Sequence, residues 1–484
     1  MAAFIRSIFK NRIFWYLFSR YFSLALQFFA SIFLAVKLDV YYFGIWSFML
    51  LLINIGSCFN WGIGNATTIL LVQHKDDQIL CRKYIFNAIL LVCISFVLPL
   101  AVLIYDRISG IDIFSKYHLE NLIYVVTAVI ILQYLCNFFV NIFRVRNRII
   151  EIIIQQSLWP LIMFCLIFTA SGKTLLDLLA WGYVITLSLV AGFLIALSRS
   201  DCRSSVSTAI AYQIISKGFF LFIYNACFLA IMLSTKLLIS YFYSVTEFGY
   251  FSFAFSLAQG VILLIDSLIF LIFPKMIDML KGNDVDQIKS AIKILRDNYL
   301  LPLHLIFYMI LMMSFPFFYF IPQYSKSLLP FGLILFTLVM YSNCFGYNSY
   351  LLAQNREKSF SLIVFIALLA NVLLVWLLGG IFGIRFEYVV FGTLLVYFLY
   401  SIAVNCYALY CLGERNLVTY LRENLISKSI AIYFSTLILV ITIGCHWWIF
   451  AGIFIVFILF HIPQLNCLKK NVIKLIHNDK LINV

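Results

Sequence analysis

The chain has 484 residues, of which 64% are hydrophobic and only 11% are charged. A soluble protein of this size needs many more charged side chains to cover its surface, so the composition excludes a soluble globular protein. The formal net charge of +14 does not indicate a nucleic-acid partner, because the basic residues stand in short clusters between apolar runs.

Apolar runs of about 20 residues, the length that a helix needs to cross the hydrocarbon core of a bilayer, recur along the chain. We therefore predict an all-α polytopic membrane protein with about 14 transmembrane helices. The predicted spans are 14–36, 43–72, 84–105, 119–143, 149–170, 175–198, 218–242, 248–274, 298–321, 328–353, 359–380, 386–411, 429–445 and 447–466.

Lysine and arginine alternate between the loops on the two sides of these spans. With the N-terminus placed in the cytoplasm, 26 of the 34 Lys and Arg residues fall in cytoplasmic segments and 6 fall outside. Positive residues favour cytoplasmic loops. The distribution predicts a multi-pass protein with both termini in the cytoplasm.

The first two helices carry polar residues inside their apolar runs. Arg20, Ser23 and Gln27 lie at spacings of three and four on one face of the first helix, and Asn54 lies in the second. Such a face can line a hydrated cavity or form hydrogen bonds between helices. Arg20 is close enough to a helix end that its side chain could instead extend to the membrane surface.

The seventh and eighth helices repeat this pattern. Asn225 and Lys236 lie on one face of the seventh helix, and the eighth carries Gln259 and Asp266. A charge inside a membrane is usually paired or functional. Lys236, like Arg20, could extend to the membrane surface, whereas Asp266 is too short and too deep. Asp266 is the candidate coupling carboxylate, and its alternative is an ion pair with a neighbouring helix.

A sequence motif occurs twice, 205 residues apart, at the turn that follows the first and the seventh helices. The repeated pairs are Val40 and Val245, Phe43 and Phe248, Gly44 and Gly249, Ser47 and Ser252, and Phe48 and Phe253. A duplication of this length predicts two related lobes, as many transporters have. We expect six-helix lobes at 1–205 and 206–415, followed at 416–484 by an additional two-helix hairpin and a cytoplasmic tail.

Motifs of enzyme chemistry are absent from the sequence. The tetrad Ser171–Thr174 imitates the end of a phosphate-binding loop but lacks the upstream glycine, and the histidines and cysteines show no metal-ligand spacing. We expect a protein that is not an enzyme and that holds no metal or cofactor.

Arg20, the turn Phe43–Ser47, its second copy in Thr246–Gln259, and the segments Phe273–Lys275 and Leu351–Arg356 together resemble polysaccharide flippases. These are the Wzx-type, O-antigen and exopolysaccharide branch of the multidrug/oligosaccharidyl-lipid/polysaccharide exporter superfamily. The resemblance covers about residues 10–415.

The resemblance implies a flippase in the bacterial inner membrane that moves polyprenyl-pyrophosphate-linked oligosaccharide repeat units, such as those of O-antigen in lipopolysaccharide, by alternating access. The implied partners are this substrate, a coupling ion (H⁺ or Na⁺), a polysaccharide polymerase and a chain-length regulator. The predicted cavity residues are Arg20, Gln27, Asn54, Asn225, Lys236 and Gln259, and the resemblance assigns the pyrophosphate to Arg20 and Lys236. The alternative is a multidrug or cation antiporter of the same superfamily, in which Asp266 couples the ion.

Overall fold

A computed structural model describes most of the chain. The described residues are 12–74, 76–109, 115–119, 122–146, 148–198, 204–280, 282, 284–354, 356–416, 428–444 and 446–477. The protein is 88% helical and has no strand in these ranges. Ten spans in this part are long and apolar enough to cross a membrane, so the predicted all-α polytopic membrane fold is confirmed.

Sixteen α-helices follow one another along the described chain. They are α1 (Arg12–Cys58), α2 (Ile63–Gln73), α3 (Gln78–Ser95), α4 (Val97–Ser109), α5 (Ile123–Val145), α6 (Ile149–Leu166), α7 (Gly172–Leu197), α8 (Thr208–Phe242), α9 (Val245–Leu280), α10 (Val285–Phe320), α11 (Leu328–Ser342), α12 (Tyr347–Ala353), α13 (Glu357–Trp376), α14 (Phe386–Cys411), α15 (Lys428–Ile443) and α16 (Trp447–His477). Short 3₁₀ segments precede α5 and α11, and a π-helical turn follows α13.

Both copies of the repeated turn interrupt the helix at the same repeat position. In the first copy the break falls at Asp39, whose non-helical φ of 60° and ψ of 168° divide α1 into two helical parts. A non-glycine residue rarely adopts this conformation. In the second copy α8 ends at Phe242, and α9 begins after Ser244. The Glu247 carboxylate accepts hydrogen bonds from the Ser244 backbone N–H (2.9 Å) and hydroxyl (2.7 Å), a capping box that starts α9.

The chain divides into two compact units, Met1–Leu257 and Ala258–Val484. In the first unit α1 packs along α5, α6 and α7, and α2 packs along α5 and α8. The polar side chain of Asn87 in α3 is bonded to the segment that starts α8, because it accepts from the Ser207 N–H (2.8 Å) and donates to the Ser205 carbonyl (3.2 Å).

The second unit is organised around α11, the most buried membrane span, which packs against α14 and α10. The C-terminal helix pair belongs to this unit. Tyr433 of α15 donates to the His304 carbonyl of α10 (2.9 Å), and its ring lies 3.6 Å from that of Tyr308. Phe457 of α16 also stacks on Tyr308, at 4.8 Å. The pair is therefore anchored on the core of the second unit.

The boundary between the compact units falls inside α9, whereas the predicted lobe boundary at 205/206 marks the sequence repeat. The two divisions describe different properties, and the predicted lobes remain a prediction. The difference has a local cause, because α8 packs on α1, α2 and α3 and so belongs to the first compact unit.

The orientation in the membrane is a testable prediction. Reporter fusions at Lys37, Lys173 and Arg385 should report the outer side, and fusions at Arg146 and Lys289 should report the cytoplasm, because basic residues concentrate in the cytoplasmic loops. Paired reporters that are active only on opposite sides of the membrane would measure this. A cytoplasmic signal at Lys173 would contradict the predicted topology.

Candidate functional site

The two copies of the repeated turn pack directly against each other. A Cβ atom on Gly44 would overlap the Val245 carbonyl oxygen, and one on Gly249 would overlap the Val40 carbonyl oxygen. The Cβ on Gly44 would also lie 3.4 Å from the Gly249 Cα. Each glycine thus meets the valine that lies four residues before the other glycine. The contact is reciprocal, as in a two-fold symmetric interface.

Aromatic side chains surround this backbone contact in the same reciprocal manner. Phe43 meets Phe253 edge-on at 5.9 Å, and Phe48 meets Phe248 edge-on at 6.1 Å. All four rings are at most 5% exposed. Edge-to-face pairs add roughly 0.5–1.5 kcal/mol each beyond the burial of their area. We call these four phenylalanines, with Val40, Gly44, Val245 and Gly249, the repeat junction.

A short segment before α5 holds the repeat junction from one side. The Tyr117 ring stacks on Phe48 at 3.9 Å and meets Phe248 at 5.7 Å. Its hydroxyl donates to the Ser240 carbonyl (2.9 Å), and the neighbouring Lys116 ammonium donates to the Ser240 (2.7 Å) and Tyr241 (2.9 Å) carbonyls. A cation at these carbonyls is favourable because they form the negative end of α8.

Burial changes the acid–base properties of this segment. Partial burial lowers the pKa of the Lys116 ammonium, and the nearby Glu247 carboxylate opposes that shift. Burial also raises the pKa of the Tyr117 hydroxyl, so it remains a hydrogen-bond donor across the physiological range. The segment therefore connects the end of α8 to the aromatic rings of the repeat junction. The Tyr117 hydroxyl is the neutral donor to α8, and the Lys116 ammonium is the charged one.

Lys236 lies one helical turn before Ser240 and is only 6% exposed. Its ammonium is 5.6 Å from the centre of the Phe248 ring and 5.3 Å from that of Phe255. Within the part of the chain that the structure describes, its ammonium has no hydrogen-bond acceptor and no carboxylate partner. The side chain therefore does not extend to the membrane surface, and aromatic faces are the described groups around its charge.

The structure shows no polar contact between Lys236 and the other predicted cavity residues that it describes. Gln27 and Asn54 are exposed on α1, and no hydrogen bond among the described residues joins either of them to Lys236. Gln259 is exposed on α9 in the second compact unit. Arg20, Asn225 and Asp266 lie in α1, α8 and α9, but their side chains are outside the described residues. Their roles remain predictions.

The structure also brings together a polar group that the sequence reasoning missed. The Ser57 hydroxyl donates to the Gln133 amide, and Gln133 in turn donates to the Tyr183 hydroxyl (2.7 Å). A cavity in the same compact unit has room for about one water molecule, at roughly 20 Å³. It is lined by Asn60, Ile63, Gly64, Val92, Ser95, Tyr134, Asn137, Phe138 and Asn141.

A signal for this group was present in the sequence. Gln133, Asn137 and Asn141 follow one another at intervals of four, which places their amides on one face of α5. This amide face belongs to the first compact unit, and the described residues that line its cavity carry no charge. No cluster of three His, Cys, Asp or Glu side chains that could hold a metal occurs among the described residues.

Solved structures share the fold of this chain. An inward-facing multidrug resistance transporter of the MATE family of the MOP superfamily has a TM-score of 0.63 at 13% identity, covering 81% of this chain and 94% of its own. The lipid II flippase MurJ, in an inward closed conformation, has a TM-score of 0.63 at 14% identity, covering 95% of this chain and 99% of its own. A MATE structure in the bent conformation has a TM-score of 0.52 at 13% identity, covering 82% and 93%.

No protein-family model matches the chain, and no curated protein matches it by sequence. At these identities the structural neighbours show a common fold. The chain therefore shares its fold with MATE transporters and with the flippase MurJ.

Proposed function

We propose that this chain is a flippase for polyprenyl-pyrophosphate-linked oligosaccharides, such as O-antigen repeat units, and that it works by alternating access in the bacterial inner membrane. The observation that carries the proposal is the extent of the structural similarity. The match to the flippase MurJ covers 95% of this chain, whereas the matches to MATE transporters cover 81% and 82%. We take the additional coverage to include the C-terminal helix pair.

Transport of a lipid-linked sugar requires a polar path through the membrane, and the chain has polar residues inside its membrane helices. A hydrated sugar head cannot cross hydrocarbon alone, so the protein must supply a polar path while the prenyl tail stays in lipid. The predicted path is formed by Gln27, Asn54, Asn225 and Gln259. Arg20 and Lys236 are the proposed contacts of the pyrophosphate.

The repeat junction supports alternating access. A backbone contact between two repeated turns leaves no passage at that point, and a carrier needs such a closure on one side at a time. The contact depends on two glycines and on edge-on rings, and the hydrogen bonds of Lys116 and Tyr117 to the end of α8 hold it closed. We place this closure on the outer side, with both termini in the cytoplasm.

Coupling and assembly are further parts of the proposal. Asp266 is the candidate site for H⁺ or Na⁺, because a carboxylate inside a membrane helix is usually functional or paired. A polysaccharide polymerase and a chain-length regulator are the partners implied by this cargo.

A second candidate function is a multidrug or cation antiporter. The inward-facing MATE transporter has the same TM-score as MurJ, 0.63, so similarity of the core alone does not separate the two functions. The flippase proposal is preferred because the match to MurJ covers more of this chain.

The test uses the full-length protein in liposomes that carry lipid-linked oligosaccharides extracted from the source cells. Flipping is measured as the fraction of glycan that becomes accessible to a membrane-impermeant glycan-cleaving reagent. We expect transfer at least ~10-fold faster than in protein-free liposomes, and no efflux of a fluorescent cationic drug. Drug efflux without glycan transfer would favour the antiporter, and neither activity would reject both functions.

A further inference from the structure

One aromatic ring belongs to two sets of contacts at once. Phe248 is part of the repeat junction, where it meets Phe48 at 6.1 Å and Tyr117 at 5.7 Å. The same ring lies 5.6 Å from the Lys236 ammonium. Phe248 is completely buried. Phe248 therefore connects the repeat junction with the surroundings of Lys236.

The surroundings of Lys236 are unusual for a cation. Removing an ion from water is costly even after the protein relaxes around it, and a buried ammonium normally has hydrogen-bond acceptors or a carboxylate. Among the described residues, only the rings of Phe248 and Phe255 interact with this ammonium. Cation–π contacts offset only part of the desolvation cost. With the groups that the structure describes around it, the present position of Lys236 is thus an energetically poor one for a charge.

Structural stabilisation does not explain this arrangement. An apolar side chain of similar length would pack between the two rings without the desolvation cost. A lysine at this position is explained if its charge is needed in another conformation, in which the rings no longer enclose it.

We propose that the repeat junction conceals Lys236, so that this cation is offered to an anionic phosphate group only when the junction is open. The inference rests on the proposed function for the identity of the cargo. Charge-assisted hydrogen bonds to phosphate oxygens are stronger than contacts with aromatic faces. An exposed Lys236 therefore attracts the pyrophosphate, and a concealed Lys236 does not.

Concealment of Lys236 determines when in the transport cycle the cargo contacts this cation. While the junction is closed, the cargo enters without contacting Lys236. When the two copies of the repeated turn separate, the cation appears at the side where the junction was, and the anionic head is attracted toward that side. Closure of the junction withdraws the cation again, which favours release of the cargo.

The experiment labels the lysines of the full-length protein in detergent with a sulfonated N-hydroxysuccinimide ester, and mass spectrometry reads each site. In the unaltered protein Lys236 should react at least ~10-fold more slowly than the exposed Lys173. Gly249→Ala, whose Cβ would overlap the Val40 carbonyl, should raise the Lys236 rate at least ~10-fold and leave Lys173 unchanged. Gly192→Ala is the matched control, because no atom lies within 4 Å of its added Cβ.

A second arm tests the ligand. Inorganic pyrophosphate should slow the labelling of Lys236 in Gly249→Ala, and sodium chloride of equal ionic strength should not. If Gly249→Ala does not accumulate, Gly44→Ala replaces it, since its Cβ would make the reciprocal overlap.

The proposal is overturned if Lys236 reacts as fast as Lys173 in the unaltered protein, if the glycine variants leave it unreactive, or if pyrophosphate gives no protection. Labelling requires no lipid-linked cargo. Its failure is therefore distinguishable from a failure of the flipping assay, which tests the proposed function.

Discussion

Gly249→Ala should reduce glycan flipping at least ~5-fold while the protein still accumulates in the membrane. The added methyl would overlap the Val40 carbonyl oxygen, a backbone atom that cannot rotate away as a side chain does. Overpacking at such a position costs roughly 1–3 kcal/mol. Because this penalty acts on the closed junction, it disfavours closure by about 5- to 150-fold. A carrier that cannot close one side loses turnover.

Two companion variants make this result specific. Gly44→Ala should have an effect similar to that of Gly249→Ala, because each glycine meets the backbone of the valine four residues before the other glycine. Gly192→Ala in α7 should transport normally, because nothing lies within 4 Å of its Cβ. Initial flipping rates in liposomes with equal amounts of protein measure all three. Normal flipping by both junction variants would show that closure here is not part of the transport cycle.

Lys236→Met should make the protein more stable and transport slower. Methionine has a similar length and removes a buried charge. Among the described residues, this charge interacts only with two phenylalanine rings. The desolvation cost of several kcal/mol exceeds the cation–π contribution of roughly 0.5–2 kcal/mol, so the melting temperature in detergent should rise. Loss of a charged contact worth roughly 1.5–3 kcal/mol should lower the flipping rate by about 10- to 150-fold.

The opposite signs of the two effects distinguish function from structure. A merely structural Lys236 would give a methionine variant that is destabilised, or one that is stabilised and fully active. Lys173→Met, at an exposed position of α7, is the matched control and should change neither property.

Arg20→Ala, on the corresponding face of the first helix, should also lower the flipping rate at normal protein abundance if Arg20 binds the pyrophosphate together with Lys236.

Local properties of the sequence were sufficient to predict the membrane class and the helices. A run of about 20 apolar residues spans a bilayer wherever it occurs, so no knowledge of its partners is needed. Each predicted span coincides with described helical segments. The predicted break after the first span lies at the non-helical Asp39. The structure corrected other local details, since the spans at 43–72, 84–105 and 328–353 each contain parts of two helices.

The repeat was also visible in the sequence, because residue identities at a fixed separation require no structure. It singled out Val40, Gly44, Val245 and Gly249 as equivalent positions. That these positions touch one another could not be read from the repeat, since equivalence in two copies does not imply contact between them.

The tertiary structure alone decided what surrounds the polar residues. A helical face at Lys236 is compatible with a wet cavity, a helix contact or the membrane surface, and only the positions of Phe248 and Phe255 show that this ammonium is enclosed by rings. The same holds for Gln133, whose partner Tyr183 is 50 residues away along the chain. The sequence by itself determined the spans and the repeat because these depend on neighbouring or equivalent residues. The closed junction depends on contacts between turns roughly 200 residues apart in the chain, which only folding brings together.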